Sequence, residues 1–160
     1  MHASITWPLV SNIIRGSKLN HTFGMVRKNA DGTPRPHQGW DFSAKVGEPA
    51  YAICDGTVVL VKTGGDYGLR LAFEFELEGT TYYAFYAHLQ QVFVAEGATV
   101  TRNQLIAKTG NSGNAESLAD SEDHLHFEIR TKNPPGLGLK DRVSPLVVFG
   151  KCPLNAAIPG

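Results

Sequence analysis

The chain has 160 residues, 15 basic and 15 acidic side chains, and a formal net charge of zero. A chain of this length can bury a sizeable core as one unit, so we expect residues 1–160 to form a single domain. The balanced charge argues against the basic surface of a nucleic-acid binder and the polybasic patch of a membrane-surface protein, so neither is an expected partner.

The backbone composition predicts the fold class. The sequence contains 17 glycines and 9 prolines and few long stretches of strong helix formers. Such a chain is typical of many strands joined by turns. We therefore expect a mostly β domain with little helix.

The two cysteines, Cys54 and Cys152, are too few for a disulfide framework or a cysteine-based zinc site. Cys54 is interpreted as a buried thiol, and a disulfide between Cys54 and Cys152 stays open because sequence alone does not show whether they lie within bonding distance.

No apolar run approaches the roughly twenty residues of a membrane span. The first ten residues have no basic region, and Pro8 interrupts their short apolar run, which predicts no secretory signal. Either a signal was removed or the protein leaves its cell by another route.

The first third of the chain leads to a pair of candidate metal ligands. Residues 1–20 are interpreted as a flanking segment, whose apolar side chains pack against the core and hold it there. Residues 21–36 contain the turn signal Asp31-Gly32 and two prolines and are interpreted as a mobile loop. His21 lies in this loop and could reach the site, but a loop histidine without a matched partner more often has no role there. The anchoring side chains of the first segment are Trp7, Leu9, Ile13 and Ile14.

His37 and Asp41 form the first polar cluster. A helix would place residues four apart on one face, but Pro36 precedes the cluster and Gly39 lies within it. The sequence instead predicts a tight turn entering a strand at residues 40–42, which folds the carboxylate back beside the imidazole.

Residues 45–61 are predicted to form strand, turn and strand, and a similar glycine-then-strand phrase recurs at residues 96–107. Such repeats resemble the two halves of biotinyl and lipoyl carrier domains, the duplicated hybrid motif. No lysine lies in the hairpin context that those carriers present for modification. The repeat is therefore interpreted as architecture rather than chemistry.

Residues 69–77 alternate between apolar and charged side chains, which predicts a half-buried antiparallel strand. Glu78-Gly79 turns the chain into a strand rich in aromatic side chains, residues 80–88. His88 is expected to end that strand. An isolated histidine in such a position is more often structural than catalytic, so a role for His88 depends on the site needing another imidazole.

His124 and His126 project from one face of the strand predicted over residues 123–130. By itself, a His-x-His pair in a strand is more often solvent-facing or hydrogen-bonded than a metal site. One of these histidines together with His37 and Asp41 would give three ligands and leave a fourth tetrahedral position for water, as in catalytic zinc sites. These nitrogen and oxygen ligands fit zinc best, with manganese and nickel left open.

Hydrolysis also needs a base and a group that stabilises the oxyanion, and no H-E-x-x-H motif supplies a glutamate. The sequence therefore leaves this work to His88 and to whichever of the pair does not bind the metal.

The loops and the tail complete the chain. Residues 109–122 are glycine-rich and polar and either wall a groove or form a plain connection. Residues 133–142 form a second loop, and residues 143–149 are expected as an edge strand or a single helical turn. The proline-rich tail from Cys152 onward is expected to be loosely held.

Five features in order resemble the lysostaphin and LytM type of peptidoglycan metalloendopeptidase. The resemblance covers about residues 21–131. The five features are His37-x-x-x-Asp41, the Asp-Gly-Thr-Val-Val strand at residues 55–59, Tyr86-Ala87-His88-Leu89, the segment from Gly97 to Gly113, and His124-Leu125-His126-Phe127-Glu128. The family fold is an antiparallel β-sheet core with a groove walled by loops, and its substrates are peptide cross-links of bacterial cell walls.

The resemblance implies a role for each polar residue of these motifs. His37, Asp41 and His126 would hold one Zn²⁺ per chain, and His88 and His124 would be the two catalytic histidines. The catalytic core would span about residues 21–131, with 1–20 and 132–160 as flanking segments. The implied activity is a zinc endopeptidase acting on peptidoglycan peptides.

Other functions stay open. Some relatives of this type have lost ligands and act as non-catalytic modules that bind peptidoglycan or activate hydrolases, although here all five positions are filled. A bacteriolytic toxin or phage lysin, with an immunity or inhibitor protein as partner, would fit the missing export signal. We expect a monomer that acts at the bacterial cell wall, in the periplasm or outside the cell. The bond cleaved, a D-alanyl–diaminopimelate cross-link or a glycine bridge, is left open.

Overall fold

The β-branched and aromatic runs of the sequence form the strands of one large sheet. The computed structural model describes residues 5–115, 118 and 122–160. Nine strands of this part of the chain form one antiparallel sheet, and two further strand pairs lie outside it. The strands are β1 (Ser11–Asn12), β2 (Gly24–Lys28), β3 (Pro34–His37), β4 (Trp40–Ser43), β5 (Pro49–Tyr51), β6 (Gly56–Lys62), β7 (Leu69–Leu77), β8 (Thr80–Val92), β9 (Thr99–Val100), β10 (Leu105–Thr109), β11 (His124–Arg130), β12 (Arg142–Val143) and β13 (Ile158–Pro159).

Helix is scarce, as predicted. One α-helix occurs in the described residues, α1 (Leu146–Phe149), and short 3₁₀ turns cover Arg15–Ser17, Leu19–His21 and Gly113–Ala115. β12 and α1 together fit the expected edge strand or helical turn over residues 143–149. None of the helices described is long and apolar enough to cross a membrane.

The main sheet runs in the order β12-β11-β8-β7-β6-β9, with β4 beside β11 and β10 joining β8 to β5. The predicted strand over residues 69–77 is β7, and its side chains Leu71, Phe73, Phe75 and Leu77 are buried as the alternation requires. Ala72 is buried on the opposite face, where it packs with Phe85 and Ala87 in a second small cluster. Near the middle of the sheet both faces are therefore covered.

Aromatic side chains fill the core beneath β4 and β11. Trp7 stacks on Phe149 of α1 with ring centroids 4.2 Å apart, and Trp40 lies 5.9 Å from the same ring. Trp7, Leu9 and Ile14 are buried, so the early segment is attached to the core as predicted, while Ile13 is half-buried. Residues 1–4 of that segment lie outside the described residues.

Gly39 allows the chain to pass close to β11. A Cβ atom at this position would lie 2.0 Å from the backbone oxygen of Phe127 and 2.9 Å from Cγ of Glu128. No other residue fits this gap without moving the backbone. The tight turn predicted from Gly39 thus brings β4 into register with β11.

The prediction of a loop over residues 21–36 is wrong. This segment contains the hairpin β2–β3, in which Gly24 pairs with His37, Arg27 with Arg35 and Lys28 with Pro34. Proline has no backbone N–H to donate. It is tolerated in β3 because this strand pairs only with β2, so its other edge makes no hydrogen bonds to a neighbouring strand.

The prediction of a loosely held tail is also wrong. β13 pairs with β1, and the Gly160 N–H donates to the carbonyl of Val10 at 2.8 Å. Asn12 is fully buried, and its amide donates to the Ile158 carbonyl at 3.0 Å. The cysteines are both free thiols, with Cys54 buried as predicted and Cys152 exposed.

Candidate active site

Strand pairing brings together the His37–Asp41 cluster and the His-x-His pair. Asp41 on β4 lies directly opposite His126 on β11, and Ala87 of β8 flanks His126 on the other side. His37 is the last residue of β3, just before the turn into β4. One nitrogen or oxygen atom from each of His37, Asp41 and His126 lies within 4.8 Å of the others, and all three residues are buried.

The hydrogen bonds of His37 leave a lone pair facing Asp41. Nδ1 of His37 lies 2.9 Å from the carbonyl oxygen of Thr22, which can only accept, so Nδ1 carries the proton. Nε2 of the neutral ring lies 3.2 Å from Oδ1 of Asp41. Burial lowers the pKa of His37, which favours this neutral form. Two acceptors therefore face each other at a position where a cation would satisfy both.

His126 approaches the same carboxylate oxygen. Its Nδ1 lies 2.9 Å from Oδ1 of Asp41, and its Nε2 lies 2.7 Å from Oε2 of Glu128. Although burial opposes it, hydrogen bonds to these two carboxylates raise the pKa of His126 to about 9. The nitrogen-nitrogen-oxygen donor set and its spacing fit a tetrahedral zinc site once Nδ1 gives up its proton.

Glu128 determines which nitrogen of His126 is protonated and which faces Asp41 as a possible metal ligand. The side chain is fully buried and accepts hydrogen bonds from Arg130 Nε at 2.8 Å and Arg142 Nε at 2.7 Å through Oε1, and from the Tyr67 hydroxyl at 2.9 Å through Oε2. Burial alone would raise the pKa of Glu128, but His126 and the two arginines lower it, so the carboxylate is ionised. An ionised carboxylate only accepts, so Nε2 of His126 must donate and Nδ1 is the nitrogen available for a metal.

The second oxygen of Asp41 lies beside two arginines and the ring of His21. Oδ2 lies 3.1 Å from Nη2 of Arg27, 3.5 Å from Nη1 of Arg15 and 3.4 Å from Nδ1 of His21. Burial would raise the pKa of Asp41, but the hydrogen bond from His126 holds it well below its usual range. His21 does reach the site, one of the two alternatives left open by the sequence, because its ring lies beside the candidate ligand Asp41.

His88 and His124 lie side by side next to this cluster, with ring centroids 5.0 Å apart. Nδ1 of His88 lies 2.8 Å from the carbonyl oxygen of Ser112, and Nδ1 of His124 lies 3.0 Å from that of Glu122. Both Nδ1 atoms therefore donate, which leaves Nε2 of each ring unprotonated. Burial lowers the pKa of both, that of His124 to about 4.

His88 does not end its strand, contrary to the prediction. β8 continues to Val92, and His88 lies within it at φ 58°, where the pairing with β7 shifts register. Its N–H donates to the Tyr67 carbonyl at 2.9 Å instead of to β7. A positive φ in a residue with a side chain costs free energy and is concentrated at functional sites. This irregularity turns the imidazole away from the regular pleat.

These side chains line an open groove of about 720 Å³. The residues that line it include His37, Asp41, Tyr67, His88, His124 and His126. The loop over residues 109–122 contributes Leu118 to the wall, in line with one of its two interpretations, while residues 116–117 and 119–121 lie outside the described residues. The structure therefore brings all five sequence-predicted site residues to one surface.

The sequence interpretation missed Glu128, Arg130, Arg142 and Tyr67. Glu128 and Arg130 follow His126 at intervals of two on the same strand, so the period of a strand already placed them on the face of the histidines. Arg142 and Tyr67 reach the site from distant strands and loops, and no local pattern indicates them.

Three comparisons place the chain among known proteins. Residues 35–136 match peptidase family M23. Peptidoglycan DD-endopeptidase ShyB of Vibrio cholerae is 35% identical over 119 residues, which are 74% of this chain and 26% of that relative. The chain spans about a quarter of the length of the curated relatives it matches.

Solved structures agree with the sequence comparison. A zinc-containing peptidase from Vibrio cholerae superposes with a TM-score of 0.64 at 28% identity, covering 88% of this chain and 38% of that one. The catalytic domain of lysostaphin from Staphylococcus simulans superposes with a TM-score of 0.64 at 23% identity, covering 81% and 90% of the two chains, and shows the shared fold. The expected fold class, an antiparallel β-sheet core with a groove, is confirmed. Because the family match extends over more than half of its residues, this chain belongs to peptidase family M23.

Proposed function

We propose that this protein is a zinc-dependent endopeptidase that hydrolyses peptide cross-links or bridge peptides of bacterial peptidoglycan. The observation that carries the proposal is the shared position of Asp41 Oδ1, which lies 3.2 Å from Nε2 of His37 and 2.9 Å from Nδ1 of His126. Membership of a peptidase family and a relative named as a peptidoglycan DD-endopeptidase support the same reaction class.

His37, Asp41 and His126 are the proposed ligands of one zinc ion. Zinc at this position would polarise a water molecule and the scissile carbonyl as a Lewis acid. The lone pair of His37 Nε2 is fixed by the Thr22 carbonyl on the opposite side of the ring, and Glu128 fixes the ring of His126 in the same way. The ligands are thus oriented before a metal arrives.

His88 and His124 are the proposed proton-transfer groups. Because their Nδ1 atoms donate to backbone carbonyls, each ring offers an unprotonated Nε2 that can take the proton of an attacking water molecule. The resulting imidazolium can then stabilise an oxyanion or donate the proton to the leaving amine. Burial lowers the pKa of His124 to about 4, which keeps this ring neutral at neutral pH.

Residues 21–131 are the proposed catalytic core, and the proposed place of action is the bacterial cell wall. Incubation of the purified protein with peptidoglycan, followed by mass spectrometry of the released muropeptides, tests the proposal. We expect release that a chelator abolishes and zinc restores, and that His124→Ala abolishes while zinc is retained. Binding to peptidoglycan without release of any peptide, by zinc-loaded protein, would instead identify a non-catalytic module of the same fold.

A further inference from the structure

The strand pair β7–β8 contains a bulge at His88. Leu69 pairs with Leu89 and Leu71 pairs with Tyr86, so β8 uses one more residue than β7 over this stretch. A bulge bends its strand and re-aims a side chain, and bulges are common next to active sites. Because the positive φ of His88 costs free energy, neighbouring groups must hold this backbone in place.

The side chain of Ser112 joins the two strands at the edge of this bulge. Its hydroxyl accepts a hydrogen bond from the Leu69 N–H at 3.0 Å and donates one to the Leu89 carbonyl at 2.8 Å. In a regular hydrogen-bonded antiparallel pair, such an N–H and such a carbonyl meet directly. The hydroxyl between them keeps the two strands connected although β8 carries an extra residue.

The backbone of Ser112 contacts the His88 ring itself. Its carbonyl oxygen accepts a hydrogen bond from Nδ1 of His88 at 2.8 Å. A carbonyl oxygen can only accept, so this contact fixes both the direction of the ring and its tautomer, with Nε2 left unprotonated. One residue thus holds the bulged strand through its side chain and the imidazole through its backbone.

The segment that carries Ser112 lies directly against the loop that precedes β7. A Cβ atom on Gly68 would lie 2.4 Å from Oγ of Ser112, and one on Gly113 would lie 2.4 Å from the carbonyl oxygen of Asp66. The same loop supplies the carbonyl that accepts the His88 N–H at 2.9 Å. The position of Ser112 is therefore set by the loop that also holds the backbone of His88.

We propose that Ser112 is a positioning residue of the reaction: its hydroxyl bridge across β7 and β8 holds its carbonyl against Nδ1 of His88 and so keeps Nε2 of that ring as the proton acceptor. This inference rests on the proposed function, in which His88 transfers a proton. Without the hydroxyl, the Leu69 N–H and the Leu89 carbonyl lose their partner and can pair directly only by moving closer together. That movement would displace the Ser112 carbonyl and release the ring, whose proton could then lie on Nε2.

Nitrogen-15 NMR of the histidine rings measures the tautomer directly. In zinc-loaded wild type we expect the His88 ring to carry its proton on Nδ1. In Ser112→Ala we expect a population of rings with the proton on Nε2. The spectrum of His88→Gln identifies the signals of His88, because they alone should be lost.

Kinetics measure the consequence for the reaction. On soluble cross-linked peptides released from peptidoglycan, Ser112→Ala should lower kcat about 10- to 100-fold, because a small misplacement of a reacting group has an effect of that size. KM and zinc content should stay as in the wild type, since Ser112 is neither a proposed ligand nor one of the described residues that line the groove. Ser112→Thr keeps the hydroxyl and should restore both kcat and the tautomer.

Thr109→Val is the matched control. The Thr109 hydroxyl also bridges two backbone groups, accepting from the Glu48 N–H at 2.9 Å and donating to the Lys45 carbonyl at 2.7 Å. That bridge joins no group of the proposed active site. Thr109→Val should therefore lower Tm as Ser112→Ala does, but leave kcat and the tautomer of His88 unchanged.

Each other outcome has a definite meaning. Wild-type spectra with the proton on Nε2 of His88 would overturn the inference without any variant. Wild-type kcat in Ser112→Ala, or a lowered kcat with an unchanged tautomer, would also overturn it, because Ser112 would then not act through His88. If the zinc-loaded wild type cleaves no bond in peptidoglycan, the proposed function itself fails. The wild-type spectra distinguish the two failures, because they report on the ring of His88 whether or not a peptide is cleaved.

Discussion

Replacing Glu128 by glutamine should weaken zinc binding without changing any proposed ligand. Arg130 and Arg142 both meet Oε1 and can only donate, so the amide oxygen of glutamine must face them. The amide nitrogen then faces Nε2 of His126, which must become an acceptor. The proton of the neutral ring moves to Nδ1, the nitrogen that the metal needs.

The structure gives the size of this effect and a way to separate it from unfolding. Loss of a residue that orients a metal-binding histidine costs about 10- to 100-fold in affinity. Glu128→Ala should in addition destabilise the fold by about 3 to 5 kcal/mol, because two arginines lose their buried partner. That corresponds to a fall in Tm of roughly 6 to 20 °C for a domain of this size. Glu128→Gln keeps the volume and one acceptor, so its loss should be smaller, about 1 to 3 kcal/mol.

Competition with a chromophoric zinc chelator measures the affinity, and thermal unfolding in excess chelator measures stability without the contribution of bound metal. Glu76→Gln, on the exposed face of β7, is the control and should change neither quantity. Wild-type zinc affinity in Glu128→Gln would refute the argument that Glu128 sets the tautomer of His126.

Four further predictions follow from the structure. His126→Ala should lose the metal and His124→Ala should keep it, and elemental analysis that finds full zinc in both variants would show that their roles are wrongly assigned. At pH 7 zinc binding should release about one proton, because the pKa of His126 is raised to about 9 in the metal-free protein. The affinity should therefore rise with pH up to about 9, and activity at limiting zinc should decline as the pH falls. Calorimetry in buffers of different ionisation enthalpy measures the proton release, and finding none would contradict the raised pKa of His126. In the metal-free protein the same raised pKa contributes stability that is complete below about pH 6.5 and is lost as the pH rises through about 9. Gly39→Ala should lower the free energy of unfolding by roughly 1 to 3 kcal/mol or more, because its Cβ would lie 2.0 Å from the Phe127 oxygen, and an unchanged Tm would contradict the close approach of β4 and β11.

Local patterns predicted the strands well where one face of the strand is buried. The alternation over residues 69–77 gave β7, and the turn at Gly39 gave the entry into β4, because side-chain period and backbone freedom act within a few residues. The same reasoning failed for residues 21–36 and for the tail. Residues 24–37 pair with each other as the β2–β3 hairpin in spite of their prolines and turn residues. The tail is held by a distant partner, because Ile158 pairs with Asn12 from the other end of the chain.

His88 shows how tertiary structure can override a local pattern. Its aromatic neighbours predicted a strand that stops at this residue, but pairing with β10 carries β8 on to Val92. The hydrogen bond from the His88 N–H to Tyr67 holds the positive φ in the middle of the strand. Neither contact has a signal in the residues around His88.

The sequence by itself determined the family, the scarcity of helix and the identity of the five polar residues that lie together in the groove. It could do so because motifs of a few residues determine where turns fall, which face of a strand a side chain occupies and which metal-ligating atoms it offers. Only the tertiary structure decided which nitrogen of each histidine is free, since that depends on acceptors such as the Thr22 and Ser112 carbonyls and Glu128, which approach from other strands and loops. It also decided the charge of the groove. The cations of β2 and β3 carry no signal in a neutral sequence, and only the tertiary structure places Arg27 and Arg35 in the groove that contains Asp41.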